Sequence, residues 1–117
     1  MDCSLVQNLR EQIRLGEPQA VAHATAEDLG DFQVEQNQCH PNVDRWCLLH
    51  PGHRRVRGWL ITGNSILDKH SVVDRGPAGL LDITPMRDRS VSIFLVHDGS
   101  PTDFDALQSQ VILCDLA

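Results

Sequence analysis

Leu5, Leu9 and Ile13 recur at four-residue spacing near the start of the chain, with Val6 beside them and Arg10, Glu11 and Arg14 on the remaining surface. That period predicts an amphipathic helix over residues 3–15, stopped by Gly16 and Pro18. Residues 20–29 suit a short second helix ended by Gly30, while residues 31–38 show no period and read as a loop. A further helix is expected from Cys39 or His40. Pro41 fits its first turn, where an N–H has no intrahelical acceptor. Val43, Trp46, Cys47 and His50 then share one face, with Cys39 at its top, and Pro51-Gly52 ends the helix.

Beyond residue 53 the pattern becomes that of strands. Residues 55–62 take their apolar bulk from Val56 and Trp59-Leu60-Ile61, with Gly58 a weak point between them and Gly63-Asn64 at the end. Residues 69–74 and 80–84 flank Arg75-Gly76-Pro77-Ala78-Gly79, a link suited to a hairpin. Residues 90–97 form the clearest strand, ended by Asp98-Gly99-Ser100-Pro101. Thr102 and Asp105 resemble a capping box opening a last helix, but Val111-Ile112-Leu113 suits a strand, so residues 102–117 are expected as helix or strand.

Helices first and consecutive strands afterwards predict an α+β fold, with the helices packed on a largely antiparallel sheet. A chain of 117 residues is the length of one domain. The expected division is an N-terminal helical part over 1–38, a core over 39–101 and a C-terminal element over 102–117.

The balance of residues narrows the classes of function. A formal charge of −6 and a pI near 5.3 argue against broad nucleic-acid binding, which needs cations facing phosphates. The stretch His50-Pro51-Gly52-His53-Arg54-Arg55-Val56-Arg57 is the one basic run, read either as a solvated loop or as a partner-binding patch. No run approaches the ~20 apolar residues of a membrane span. The first thirty residues lack the apolar core of an export signal, so a cytoplasmic location is expected. The four cysteines (Cys3, Cys39, Cys47 and Cys114) are then expected as reduced thiols, three of them small buried hydrophobes.

Cys39 is the exception because of where it sits. A thiol attacks as thiolate, and a helix N-terminus favours that anion through its unsatisfied N–H groups and partial positive charge. Those amides can also donate to an oxyanion formed beside the sulfur. His70 and Asp82 follow on the two strands of the expected hairpin. A three-residue link at 75–77 sets His70 directly opposite Asp82. A five-residue link at 75–79 pairs His70 with Thr84 and leaves Asp82 as a diagonal neighbour on the same face. Either register lets the carboxylate orient the imidazole.

This order resembles the papain-like cysteine hydrolases, and more closely their transglutaminase-like branch. His70-Ser71-Val72-Val73 is similar to that branch's histidine strand, and Asp82-Ile83-Thr84-Pro85 to its aspartate strand. The likeness spans residues 39–85. The resemblance implies acyl transfer at an amide or thioester, with Cys39 as nucleophile, His70 as proton shuttle and Asp82 holding the imidazole. A chain this short has little room for an elaborate pocket, so a peptide, a protein side chain or a cell-wall peptide is expected as substrate, and no cofactor. Asn37-Gln38 stands where a glycine often precedes the family's cysteine, which leaves Gln33, Gln36 and Gln38 as candidate oxyanion donors.

Two other readings compete. Cys39, Cys47, His50 and His53 form C-x7-C-x2-H-x2-H, with His40 as a spare, and these are zinc-type ligands. However, the two cysteines lie two turns apart on a helix, ~12 Å along its axis, too far to share an ion. The second rival is a non-catalytic interaction module that uses residues 50–57 as its contact surface.

Overall fold

The computed structural model describes residues 3–36, 38–62, 66–84, 91–98 and 100–112. Asn37, Gly63, Asn64, Pro85, Ser90, Gly99, Leu113 and Cys114 lie outside the described residues, as do the side chains of Cys3 and Leu5. In chain order the elements are α1 (Cys3–Arg14), β1 (Gln19–Ala22), α2 (Ala26–Leu29), α3 (Cys39–Leu49), β2 (Arg54–Thr62), β3 (Ile66–Asp74), a 3-10 turn (Gly76–Ala78), β4 (Leu80–Leu81), β5 (Val91–Val96), α4 (Pro101–Ala106) and β6 (Gln110–Ile112). This is an α+β fold in which helices pack on an antiparallel sheet. Among the described residues no helix is long and apolar enough to cross a membrane.

The sheet runs β1-β5-β2-β3-β4, with β6 pairing β3. It curls until its two ends meet. Asp82 N donates to Ala22 O at 3.0 Å and Ala24 N to Asp82 O at 2.8 Å, a parallel bridge between His23 and Asp82 that joins β1 to the end of β4. Side chains alternate across a strand, so one face of every strand points into the curl. Val21, Val72 and Phe94 fill it, with Val56 and Leu80 packed against them. The outer face carries two further cores. One joins Leu9 of α1 and Phe104 of α4 to Trp59, Leu67 and Leu95 of the sheet. The other joins Val43 and Trp46 of α3 to Val73, Leu81 and Ile83.

Three expected features differ in the structure. Residues 20–29 are not one helix: the chain pairs with β5 as β1 through Ala22, and only Ala26–Leu29 is helical. Alanine's helix preference is worth tenths of a kcal/mol per residue, less than the pairing of a strand into a sheet provides. The segment 1–38 is therefore not purely helical. The last helix is capped by Ser100, whose Oγ accepts Asp103 N at 3.1 Å, and not by Thr102. The C-terminal part is both alternatives in turn, α4 and then β6. Finally, the strand expected over 80–84 pairs with β3 only at Leu80 and Leu81, because the chain then crosses to β1.

Candidate active site

The hairpin takes the five-residue link. Asp74 pairs with Leu80 and Val73 with Leu81, and the turn is closed by Arg75 N to Gly79 O at 3.0 Å and Gly79 N to Gly76 O at 2.9 Å. Gly76 and Gly79 have φ of 72° and 84°, a region that residues with a Cβ rarely enter. In this register Asp82 is diagonal to His70 on the inner face. The departure of β4 toward β1 brings the two into direct contact, with His70 Nε2 donating to Asp82 Oδ2 at 2.7 Å.

Asp82 is 1% exposed and its carboxylate is fully occupied. Oδ1 accepts Thr84 N at 3.1 Å. Oδ2 accepts Ser92 Oγ at 3.1 Å besides His70, and His23 Nε2 lies 3.6 Å away. Because Ser92 Oγ gives its proton to Asp82, the 2.6 Å contact between His23 and Ser92 has His23 Nε2–H as donor. A carboxylate held by this many donors has a fixed orientation, and it fixes the ring of His70 in turn. His70 also meets the edge of Phe94, with ring centroids 6.2 Å apart.

The start of α3 lies where β4 leaves β3. His40 Nδ1 is 2.5 Å from Ser71 Oγ. Asn42 is completely buried and clamps the loop that leads into Cys39: its side chain accepts Glu35 N at 3.0 Å and donates to Glu35 O at 2.8 Å and to Thr84 Oγ1 at 3.2 Å. Asn42→Ala is expected to strand these backbone groups and lower stability by ~1–3 kcal/mol, measurable as a lower denaturant midpoint with an unchanged slope.

Cys39 is half-buried at the head of the helix, and His40 and His70 are the two side chains that act on its thiol. Burial opposes its ionisation and is the strongest single influence. The two imidazoles of His40 and His70 together outweigh it, chiefly through their hydrogen bonding to the sulfur, and the thiol pKa falls to about 6. Burial likewise opposes the charge on His70, but Asp82 and then Cys39 overcome it and raise the imidazole to about 9. Between those values the pair is thiolate and imidazolium. His70 spends Nε2 on Asp82, so Nδ1 is the nitrogen left for the thiol.

The amides of Cys39 and His40 have no intrahelical acceptor. Pro41 carries no N–H, and Asn42 N already donates to Gln38 O at 2.9 Å. These two amides are the backbone donors beside the sulfur. The glutamines expected as donors are not drawn in: Gln33 Nε2 donates to Asp31 O at 3.4 Å, and Gln36 and Gln38 are exposed.

The structure thus brings Cys39, His70 and Asp82 together. It adds His23, His40, Asn42, Ser71 and Ser92, which the sequence reading did not place in the site. The zinc-type set does not converge. His50 Nδ1 donates to Trp46 O at 2.8 Å, His53 Nδ1 accepts Trp46 Nε1 at 3.0 Å, and both rings stack on that indole. Among the described residues no group of three or more His, Cys, Asp or Glu side chains is arranged to hold a metal ion. The arginines of the basic run sit on β2 and are paired: Arg54 with Asp74 at 2.9 Å, and Arg55 and Arg57 with Asp44 at 3.4 and 3.1 Å. A cleft of about 760 Å³ opens between this part of β2, the end of β5 and α4. Arg57 and Phe104 line it and also border the site, through Ser71 and the ring of His40.

No protein-family model matches the chain, and neither does any curated protein or solved structure.

Proposed function

We propose that this chain is a cysteine-dependent acyl-transfer enzyme of the transglutaminase-like, papain-like kind, acting on an amide or thioester of a peptide or protein. The observation that carries the reading is the unbroken chain of contacts from the Cys39 thiol through His70 to the buried, multiply bonded Asp82. A lone cysteine at a helix start needs no such chain, and an ordinary half-wet sheet does not bury an aspartate under two histidines and a serine.

The reaction follows from the charges. The Cys39 thiolate adds to the substrate carbonyl, and the electron pair displaced onto oxygen is met by the amides of Cys39 and His40. His70 gives its proton to the departing amine or thiol as the tetrahedral intermediate collapses to an acyl-enzyme. It then takes a proton from the incoming nucleophile, so that the second addition can release Cys39. Asp82 holds the ring and stabilises its charge throughout. Water as acceptor gives hydrolysis or deamidation, and an amine gives crosslinking. The cleft lined by Arg57 and Phe104, two residues that also border the site, is where a peptide would lie. A reducing, cytoplasmic setting suits a mechanism that needs a free thiol, and Cys39 and Cys47 are both free.

Two measurements test this reading. With limiting iodoacetamide at mildly acidic pH, Cys39 is expected to alkylate before Cys47, whose pKa is raised by burial and by Asp44; equal labelling of the two removes the activated thiol. On a generic thioester, kcat/KM is expected to rise as Cys39 ionises near about 6 and fall as His70 loses its proton near about 9. Asp82→Asn removes the charge that favours the imidazolium, so it should move the alkaline limb toward acid and leave the acid limb nearer its place. An alkaline limb that stays put in that variant would separate Asp82 from His70.

A further inference from the structure

His40 shares a buried hydroxyl with Arg57. Ser71 is fully buried, and its hydroxyl has two partners among the described residues. Arg57 Nη1 donates to Oγ at 2.8 Å, and His40 Nδ1 lies 2.5 Å away. Arg57 has no acceptor to offer. If His40 Nδ1 carried a proton, Oγ would accept twice, and its own proton would be left in a dry site without an acceptor. That arrangement forfeits a hydrogen bond and is disfavoured. The satisfied arrangement has Ser71 donating to Nδ1. In the neutral ring the proton then sits on Nε2, the nitrogen that faces away from Ser71 and is left for the thiol.

The rest of the environment holds this choice in place. Asp44, one turn along α3, grips Arg57 Nη2 with both carboxylate oxygens, at 3.1 and 3.3 Å. Phe104 stands edge-on to the imidazole at 6.2 Å. Among the described residues, the charged and titratable groups around this region are His70 and Lys69 from β3, Arg55 and Arg57 from β2, Asp44 from α3 and His97 after β5, with Asp82 and His23 behind His70.

We infer that His40 is a second catalytic imidazole, a fixed Nε2–H donor to the Cys39 sulfur and then to the oxyanion, set by an Asp44–Arg57–Ser71 relay. The inference rests on the acyl-transfer reading. It assigns the two histidines opposite tasks. His70 is backed by a carboxylate and passes its proton on. His40 is backed by a hydroxyl that already accepts from Arg57 and is best satisfied by donating to Nδ1, so the ring presents Nε2–H to the sulfur and contributes a stationary dipole. As the sulfur's charge passes into the new C–S bond, the adjacent oxyanion becomes the stronger acceptor for that same N–H. Such a side-chain donor also suits a site in which Gln33 is turned to Asp31 and Gln36 and Gln38 are exposed.

The test is the pH dependence of Cys39 alkylation by iodoacetamide in the full chain, mapped by mass spectrometry, beside kcat on a generic thioester at a pH where Cys39 is fully ionised. His40→Leu is expected to raise the apparent thiol pKa by about one unit and to lower kcat about 100-fold. His40→Gln places an amide N–H near Nε2 and should recover at least half of each loss. Ser71→Ala frees the ring to take the other tautomer and should give a smaller change in the same direction. Thermal midpoints report whether each variant is folded, and should His40→Leu fail to fold, His40→Gln and Ser71→Ala carry the comparison. Profiles and kcat for the His40 and Ser71 variants that superimpose on the wild type, while His70→Ala shifts both, overturn the role of His40 and leave the nucleophile standing. If His70→Ala also changes nothing, the nucleophile reading falls at its own residue and takes this one with it.

Discussion

Cys39→Ser is expected to abolish acyl transfer, by on the order of 10⁴-fold or more, while leaving the thermal midpoint close to that of the wild type. Serine differs from cysteine by one atom and little volume, and Cys39 is only half-buried. Its hydroxyl, however, does not ionise near neutral pH, so the charge transfer that His70 and Asp82 support has no starting anion. His70→Ala should match the loss, because the members of one catalytic unit do not contribute additively. Trp46→Ala supplies the contrast. Its indole is 4% exposed and packs among Phe32, His50 and His53 and in the core beneath α3. Its removal should cost ~3–5 kcal/mol, a large share of a small domain's stability. Thermal midpoint and thioester turnover, measured side by side, separate the two kinds of effect. A Cys39→Ser protein that melts as early as Trp46→Ala and still turns over substrate would falsify the assignment of the nucleophile.

The elements that sequence alone locates are those with a strong local signal. α1, α3, β2 and β5 fall within a residue or two of where periodicity and punctuation place them. The relation between His70 and Asp82 is legible for a geometric reason: both allowed odd-length links keep the two on one face. Choosing between the links takes the turn itself, where Gly76 and Gly79 accept positive φ. β1 is not legible as a strand, because Gln19-Ala20-Val21-Ala22 has no preference strong enough to outweigh its alanines and its partner lies some 70 positions away. A local clue was nevertheless present. Thr25 and Asp28 form the capping box that restarts the chain as α2, with Asp28 N to Thr25 Oγ1 at 3.0 Å and Thr25 N to Asp28 Oδ2 at 2.9 Å.

The rest of the site is hidden for the same physical reason. His23, Asp82 and Ser92 meet only because the sheet closes on itself, and closure is a property of the whole strand order. Asn42 and His40 carried weaker hints. An asparagine inside a helix, beside the buried Val43, is a polar group that must find partners. A histidine directly after a helix-opening cysteine sits within reach of that thiol, although the sequence alone offers it only as a spare metal ligand.

Gly58 joins the fold to the site, and Gly58→Ala is expected to cost about 3 kcal/mol or more, at the upper end for overpacking. An added Cβ would stand 2.2 Å from Leu95 O and 2.5 Å from the Phe94 ring. The nearer atom is backbone, so rotating a side chain does not relieve the clash. β2 and β5 would have to separate where Gly58 pairs with Val96. What reads in the sequence as a weak point in a strand is therefore the place where only hydrogen fits. Gly58 is also the cross-strand partner of His70, on the inner face that Phe94 covers. Pushing Phe94 aside disturbs the ring it borders, and a shift of about 1 Å in a catalytic group can cost on the order of 100-fold in rate. Gly58→Ala should then lose both thermal stability and turnover, whereas Ile93→Ala, a smaller change at an exposed position of β5, should lose neither. A Gly58→Ala protein with the wild-type midpoint and wild-type kcat would mean that β2 and β5 can part without cost. It would also remove the closed sheet as the reason His70 is held in place.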